Sequence, residues 1–205
     1  MELAERDRGD HRDREDMARY QAGERPAFEA LFRRHATAVH AYFARTLGDS
    51  AAADDLTQQT FLRVHRARKD FDPTRAFRPW LFAIAANLRR DHLRSRQRKP
   101  EVPIDSAPEP SVAATVLSPS ERLVRRCVGA LPEHERDVIV LHWFEEFRLA
   151  EVAESLGISL SAAKVRAHRA RNQLKGFLEE MQGSPAGGNP KASGGQDQGR
   201  SRIGP

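Results

Sequence analysis

"LGISLSAAKVRAHRARNQLK", Leu156 to Lys175, joins the end of one amphipathic helix to the start of a long basic one. Just upstream, Leu149, Val152, Ala153 and Leu156 fall at i, i+3, i+4 and i+7, one stripe of a short helix. Gly157 is expected to stop that helix, because the left-handed residue that ends a helix costs glycine least. Ser159 can cap the helix that follows. A short helix, a glycine turn and a longer helix make a helix-turn-helix. With residues placed at about 100° intervals, Leu160, Ala163, Ala167, Ala170, Leu174, Phe177 and Leu178 share one side, the expected core face. Opposite lie Ser161, Ala162, Val165, His168, Arg169 and Asn172. Lys164, Arg171 and Lys175 form one flank, and Arg166 sits towards the other.

From Ser159 to Lys175 there are five Lys or Arg, one His and no acid. A merely solvated helix usually mixes Glu among its cations to form i, i+4 pairs, and none occurs before Glu179. Small residues on the outer first turn allow close approach to base edges in a major groove, while flanking cations reach the phosphate walls. Arg169 can donate to a base or phosphate, and Val165 can touch a thymine methyl.

Outward from this motif, the chain divides into two helical blocks, 24–98 and 120–182. In the second, Leu123, Cys127 and Leu131 form one stripe, which makes Cys127 a small core residue. Pro132 opens "PEHERDVIVLHWFEE", with acids in its first turn as the helix dipole favours. In the first block, Phe28, Leu31, Phe32, Val39, Tyr42 and Phe43 repeat at helical spacing. Asp49 or Ser50 can cap a helix whose Leu56, Thr60, Phe61 and Val64 face inward. Asp72-Pro73 signals a turn, and a long helix is expected from Pro79 to Arg98, burying Phe77, Trp80, Leu81, Ile84 and Leu88. Its other side presents Ala83, Asn87, Arg90 and Arg94, and six Lys or Arg lie between Arg89 and Lys99 against one acid, Asp91. The expected fold is all-α: two small helical domains joined by a flexible linker, the C-terminal one a helix-turn-helix.

Three further segments lack a hydrophobic period. Residues 1–23 alternate acid and base and are expected to be disordered or a frayed helix. Residues 99–119 carry five prolines and read as an extended linker. Residues 183–205, rich in Gly, Ser, Pro and Gln, read as a disordered tail.

Bulk composition narrows the function classes. A net charge of +5 and a pI of about 9.9 favour an anionic partner. One cysteine allows no intrachain disulfide and fits a reducing cytoplasm. No apolar run approaches the roughly 18–20 residues that cross a bilayer, and the charged N-terminus has no signal-peptide core. The His and Asp residues form no triad, P-loop or metal spacing, and His168 with Cys127 or His134 makes no ligand set. The expectation is a non-catalytic protein without metal or cofactor, with two basic helices on one chain.

The segments "FEALFRRHATAVHAYFARTLGDSAAADDLTQQTFLRVHRA", "FDPTRAFRPWLFAIAANLRRDHLRSRQR" and "LPEHERDVIVLHWFEEFRLAEVAESLGISLSAAKVRAHRARNQLK" carry a family resemblance. The chain resembles an extracytoplasmic-function sigma factor, the compact type of sigma-70 family subunit of bacterial RNA polymerase, with regions 2 and 4 and no region 3. The resemblance implies a role for each surface. Asp54, Asp55, Leu56, Gln58, Gln59 and Phe61 would dock on the clamp helices of the largest polymerase subunit. Asn87, Arg90, Arg94 and Ala83, with Arg75 in the loop from Lys69 to Phe77, would read and melt the minus-ten element. That loop would hold a flipped base. Ser161, Ala162, Lys164, Val165, Arg166, His168, Arg169 and Arg171 would read the minus-thirty-five element. Implied partners are core RNA polymerase (clamp helices and flap), promoter DNA and an anti-sigma factor, in the cytoplasm.

Three positions depart from the family pattern: Gln59 stands where Glu is usual, and Ala162 and Val165 where Thr and Ser are frequent. Two other readings compete. A stand-alone helix-turn-helix regulator would not need the first block, and no ligand-pocket signature accompanies it. A sigma-mimicking partner-switch protein would not need both sets of DNA-reading cations.

Overall fold

The computed structural model describes residues 2–98 and 119–183, all of whose regular elements are helical. The first unit comprises α1 (Glu2–Gln21), α2 (Arg25–Leu47), α3 (Ser50–Arg66) and α4 (Phe77–Arg98), with a 3-10 turn at Arg68–Asp70. The second comprises α5 (Pro119–Ala130), α6 (Glu133–Ile139), α7 (Leu149–Leu156) and α8 (Leu160–Gly183). The expected linker, 99–119, and tail, 183–205, lie outside the described residues except that Pro119 opens α5 and Gly183 ends α8.

The N-terminal segment corrects the sequence reading: it is helix α1, packed on α2. Among its described side chains, only Met17 and Tyr20 are both apolar and buried. The other buried side chains described on it are polar. Asp13 and Asp16 are buried. His35 Nε2 lies 2.8 Å from Asp13 Oδ2, and Arg34 donates to both carboxylates, to Asp16 at 2.8 Å. A helix held by buried ion pairs leaves no hydrophobic period to detect.

Helix ends follow local chemistry. The Asp49 carboxylate accepts from Ala52 N at 3.0 Å, capping α3. Ser159 Oγ accepts from Ala162 N at 3.1 Å and caps α8. Asp72 accepts from the backbone and hydroxyl of Thr74, setting the turn before α4. α4 begins at Phe77, two residues earlier than Pro79 suggested. "PEHERDVIVLHWFEE" is not one continuous α-helix. After α6 the chain makes a π turn, Val140–Phe144, closed by Glu145 N donating to Val140 O at 3.1 Å. Glu145, which ends this turn, is buried.

Gly157 adopts φ 65°, ψ 39°, and a Cβ there would meet nothing within 4 Å. The cost of a side chain is therefore conformational alone. Gly157→Ala is expected to destabilise the fold by about 1–2 kcal/mol, read as a lower melting midpoint; an unchanged midpoint would refute it.

Two cores organise the packing. The smaller belongs to the second unit and joins Cys127, Leu131, Ile139, Ala170 and Leu174. The larger runs through both units: Tyr42, Phe43, Leu81, Phe82 and Ala85 of the first cluster with Val138, Leu141, Phe147, Val152 and Leu156 of the second. α4 is consequently buried more widely than its single predicted stripe, because α7 covers a second face of it. Leu160, Leu178 and Phe32, expected inside, are exposed at 43%, 41% and 41%. Phe32 packs edge-on against Phe61 from the surface.

Candidate polymerase and promoter interfaces

Three surfaces gather the residues singled out in the sequence. The first lies on α3. Its turns alternate inward Ala53, Leu56, Thr57, Thr60 and Phe61 with outward Asp54, Asp55 and Gln58. Asp54 pairs with His40 at 3.1 Å, and Asp55 accepts from Gln59 Nε2 at 2.7 Å. Leu56 and Phe61 correct the expected docking set. Both are 3% exposed and support the polar face from behind, so a partner would meet the acids and amides instead.

The second surface is the start of α4 with the loop before it. Arg75 and Ala83 share a cavity of about 240 Å³ with Phe71 and Trp80, whose ring centroids are 4.9 Å apart. Asp70 and Asp72 also line it. The Asp72 carboxyl is held below its ordinary pKa, first by the Thr74 backbone N–H and then by the Thr74 hydroxyl, so it presents a carboxylate. Asn87 lies further along the helix and is exposed; its Oδ1 accepts from Arg90 Nη2 at 2.6 Å. Arg94 is also exposed, 4.0 Å from Asp91. Ala83 and Arg94 are eleven residues apart, about 16 Å of helix, so the cavity and the cations form one elongated strip.

Arg89 does not belong to that strip. It is 1% exposed, and its Nη1 donates to Asp137 Oδ2 of the second unit at 2.9 Å. Tyr42 Oη donates to the other oxygen of Asp137, also at 2.9 Å. Burial raises the Asp137 pKa, with Arg89 and then the Tyr42 hydrogen bond opposing it. Burial, then the Asp137 charge, holds the Tyr42 phenol well above its usual value.

The third surface is the outer face of α8. Ser161, Ala162, Val165, Arg166 and Arg169 line an open depression of about 420 Å³, with His134 of α6 as its far wall. Lys164, His168 and Arg171 are exposed outside it, and Asn172 lies 3.1 Å from His168 through its amide nitrogen. Small side chains occupy the floor and cations the edges. An α-helix presented this way can enter a groove and meet phosphate on either side.

Sequence reasoning missed His134 and Glu154. Glu154, on α7, lines the cavity beside Arg75 and pairs with it. Both residues join these sites through tertiary packing, and neither carries a sequence signal for that placement.

Comparison with known proteins places the chain among transcription initiation subunits. Residues 31–99 match the model for sigma-70 region 2, and residues 121–174 that for sigma-70 region 4. The chain is 39% identical over 172 residues to the RNA polymerase sigma factor CarQ of Myxococcus xanthus, covering 81% of this chain and 97% of that one. It is 32% identical over 171 residues to the ECF RNA polymerase sigma factor SigM of Mycobacterium tuberculosis, covering 83% and 87%. Among solved structures it is similar to CnrH in complex with the cytosolic domain of CnrY, with TM-score 0.65, 32% identity and coverage of 82% and 98%.

Proposed function

We infer the residue roles from one premise: the chain belongs to the extracytoplasmic-function sigma factors of the sigma-70 family. It binds core RNA polymerase and directs promoter-specific initiation as a non-catalytic subunit. The finer assignment is our proposal. α3 presents Asp54, Asp55, Gln58 and Gln59 to the clamp helices. Arg75, Ala83, Asn87, Arg90 and Arg94 read the minus-ten element, with an unstacked base held between the cavity walls near Phe71 and Trp80. Ser161, Ala162, Lys164, Val165, Arg166, His168, Arg169 and Arg171 read the minus-thirty-five element. The chain works in the cytoplasm, and an anti-sigma factor holds it in check; among the described residues no helix is long and apolar enough to cross a membrane.

The observation that carries this reading is the pairing of two cation-edged surfaces on two helical units. A stand-alone regulator would need only the α8 surface. A sigma-mimicking partner-switch protein would need neither.

The α8 depression supplies a direct test. Arg169→Ala is expected to weaken binding to the minus-thirty-five element by about tenfold, within the range of one lost base or phosphate donor, while affinity for core polymerase is retained. Equal promoter affinity of wild type and variant in a holoenzyme titration would refute the assignment. Run-off transcription with purified core polymerase on genomic fragments tests the function itself, and failure to initiate anywhere would overturn it.

A further inference from the structure

α1 ends against the loop that helps to form the minus-ten cavity. Tyr20 and Gln21 are its last two residues. Gly23, at φ 102°, then turns the chain towards α2, and its N–H donates to Tyr20 O at 3.0 Å. Tyr20 is buried, with its ring 4.8 Å from that of Phe28 on α2. Its hydroxyl shares a hydrogen bond with His65 Nδ1 in the last turn of α3. The Arg68 guanidinium lies 5.8 Å from the centroid of the same ring and donates to His65 O at 2.7 Å. The end of α1 is therefore anchored to α2, to α3 and to the 3-10 turn.

Gln21 acts from this anchored position. Its Nε2 donates to Arg68 O at 2.7 Å and to Phe71 O at 2.8 Å. These carbonyls belong to the first residue of the 3-10 turn and to the residue just past its end. Both partners can only accept, which fixes the orientation of the amide and uses both of its N–H groups. Other bonds in this stretch close within it. Asp70 N donates to Ala67 O and Arg75 N to Asp72 O, each at 3.0 Å, and Thr74 N to Asp72 Oδ1 at 2.9 Å. Gln21 ties the stretch to a separate helix.

What the tie holds is part of the cavity wall. Asp70, Phe71 and Asp72 line the cavity together with Trp80 and Ala83 of α4. Phe71 follows the turn directly, in extended backbone at φ −72°, ψ 127°. Its ring meets Trp80 at 4.9 Å and Phe77 at 5.8 Å. One of the two carbonyls on Gln21 thus belongs to a residue that lines the cavity. A loop held in shape before its ligand arrives loses less conformational entropy on binding, so it binds more tightly.

α1 lies ahead of the segment that matches region 2, residues 31–99. We propose that Gln21 is a positioning residue for base capture: its amide holds the loop from Arg68 to Asp72 in the shape that receives an unstacked base of the minus-ten strand. The end of α1 then belongs to the promoter-reading apparatus. The identity of the ligand rests on the sigma-factor reading; the tether itself does not.

The test uses the full chain, free and in the holoenzyme. Gln21→Leu removes both donors at similar volume, Gln21→Glu replaces them with acceptors, and Gln21→Lys restores a donor. In the free chain, amide hydrogen exchange from Asp70 to Arg75 should quicken by about fivefold to tenfold in the Leu and Glu variants, the scale of one lost hydrogen bond or slightly more. The Lys variant should return towards wild type, and exchange in α2 and α4 should not change. In the holoenzyme, a single-stranded minus-ten oligonucleotide should bind the Leu and Glu variants about fivefold to tenfold more weakly than wild type. Strands made abasic at one position in turn identify the captured base. The strand lacking that base should bind every variant alike, because the cavity is then unused, whereas a general structural defect would weaken both strands equally.

Unchanged loop exchange in the Leu and Glu variants overturns the proposal, and so does equal weakening of intact and abasic strands. Should Gln21→Leu lose helix content, Gln21→Glu decides on the same readings. Faster loop exchange, together with a wild-type holoenzyme that has no abasic-sensitive position, would uphold the tether and reject the base-capture reading.

Discussion

Replacing Phe82 with alanine is expected to destabilise the protein by about 3–5 kcal/mol, the range for emptying a buried aromatic site. Phe82 has no exposed surface. Its ring meets Tyr42 of α2 at 5.7 Å and Phe147 of the second unit at 5.1 Å, both edge-on. One substitution therefore removes packing within the first unit and across the seam between units. Trp80 and Trp143 lie one in each unit, so their fluorescence, with either replaced by phenylalanine, reports the two halves of a urea titration. Both reporters should move to lower denaturant. A loss below about 1 kcal/mol, the scale of an ordinary point change, would show that the ring is not the keystone of the seam.

Reversing both acids of α3, Asp54→Arg with Asp55→Arg, is expected to reduce affinity for core polymerase by about a hundredfold, near 2.8 kcal/mol at 1.4 kcal/mol per decade. Both carboxylates are exposed, and His40 and Gln59, which pair with them, belong to the same unit. The fold should tolerate the change, which helix content would verify. Against a basic docking partner, each reversal replaces attraction with repulsion in a contact that steers encounter. Titration of labelled chain with core polymerase at low and moderate salt measures the loss. Unchanged affinity would reject α3 as the docking face. Like-charge repulsion that is screened should also shrink as salt rises.

Much of the molecule was legible locally. Gly157 ends α7 in the left-handed conformation, Ser159 caps α8 and Asp49 caps α3, each by chemistry confined to a few residues. The inward stripe of α3 and the small-residue floor of α8 followed from helical spacing alone. The N-terminal helix did not, because its inward face is built from Asp13, Asp16 and their cationic partners on α2. Hydrophobic periodicity is blind to a buried ion pair. The π turn at Val140–Phe144 escaped for a related reason: apolar residues there look continuous whether the backbone closes with four or five residues.

Arg89 and Arg90 show where local reading stops. They are neighbours in a run of cations, and composition treats them alike. Arg90 is exposed and bonded to Asn87, whereas Arg89 is buried on Asp137, 48 residues away. The sequence by itself determined the helices other than α1, the caps at Asp49, Gly157 and Ser159, the two cation-bearing faces and the family, since these depend on side chains within a few turns or on the order of motifs. Only the tertiary structure decided which cations face solvent and which are spent between the units. It also decided that Glu154 lies at Arg75 and that His134 walls the α8 depression. Those placements depend on how α6 and α7 dock on α2 and α4, and that docking is set by shape and by burial of charge across long sequence separations, neither of which leaves a periodic trace in the chain.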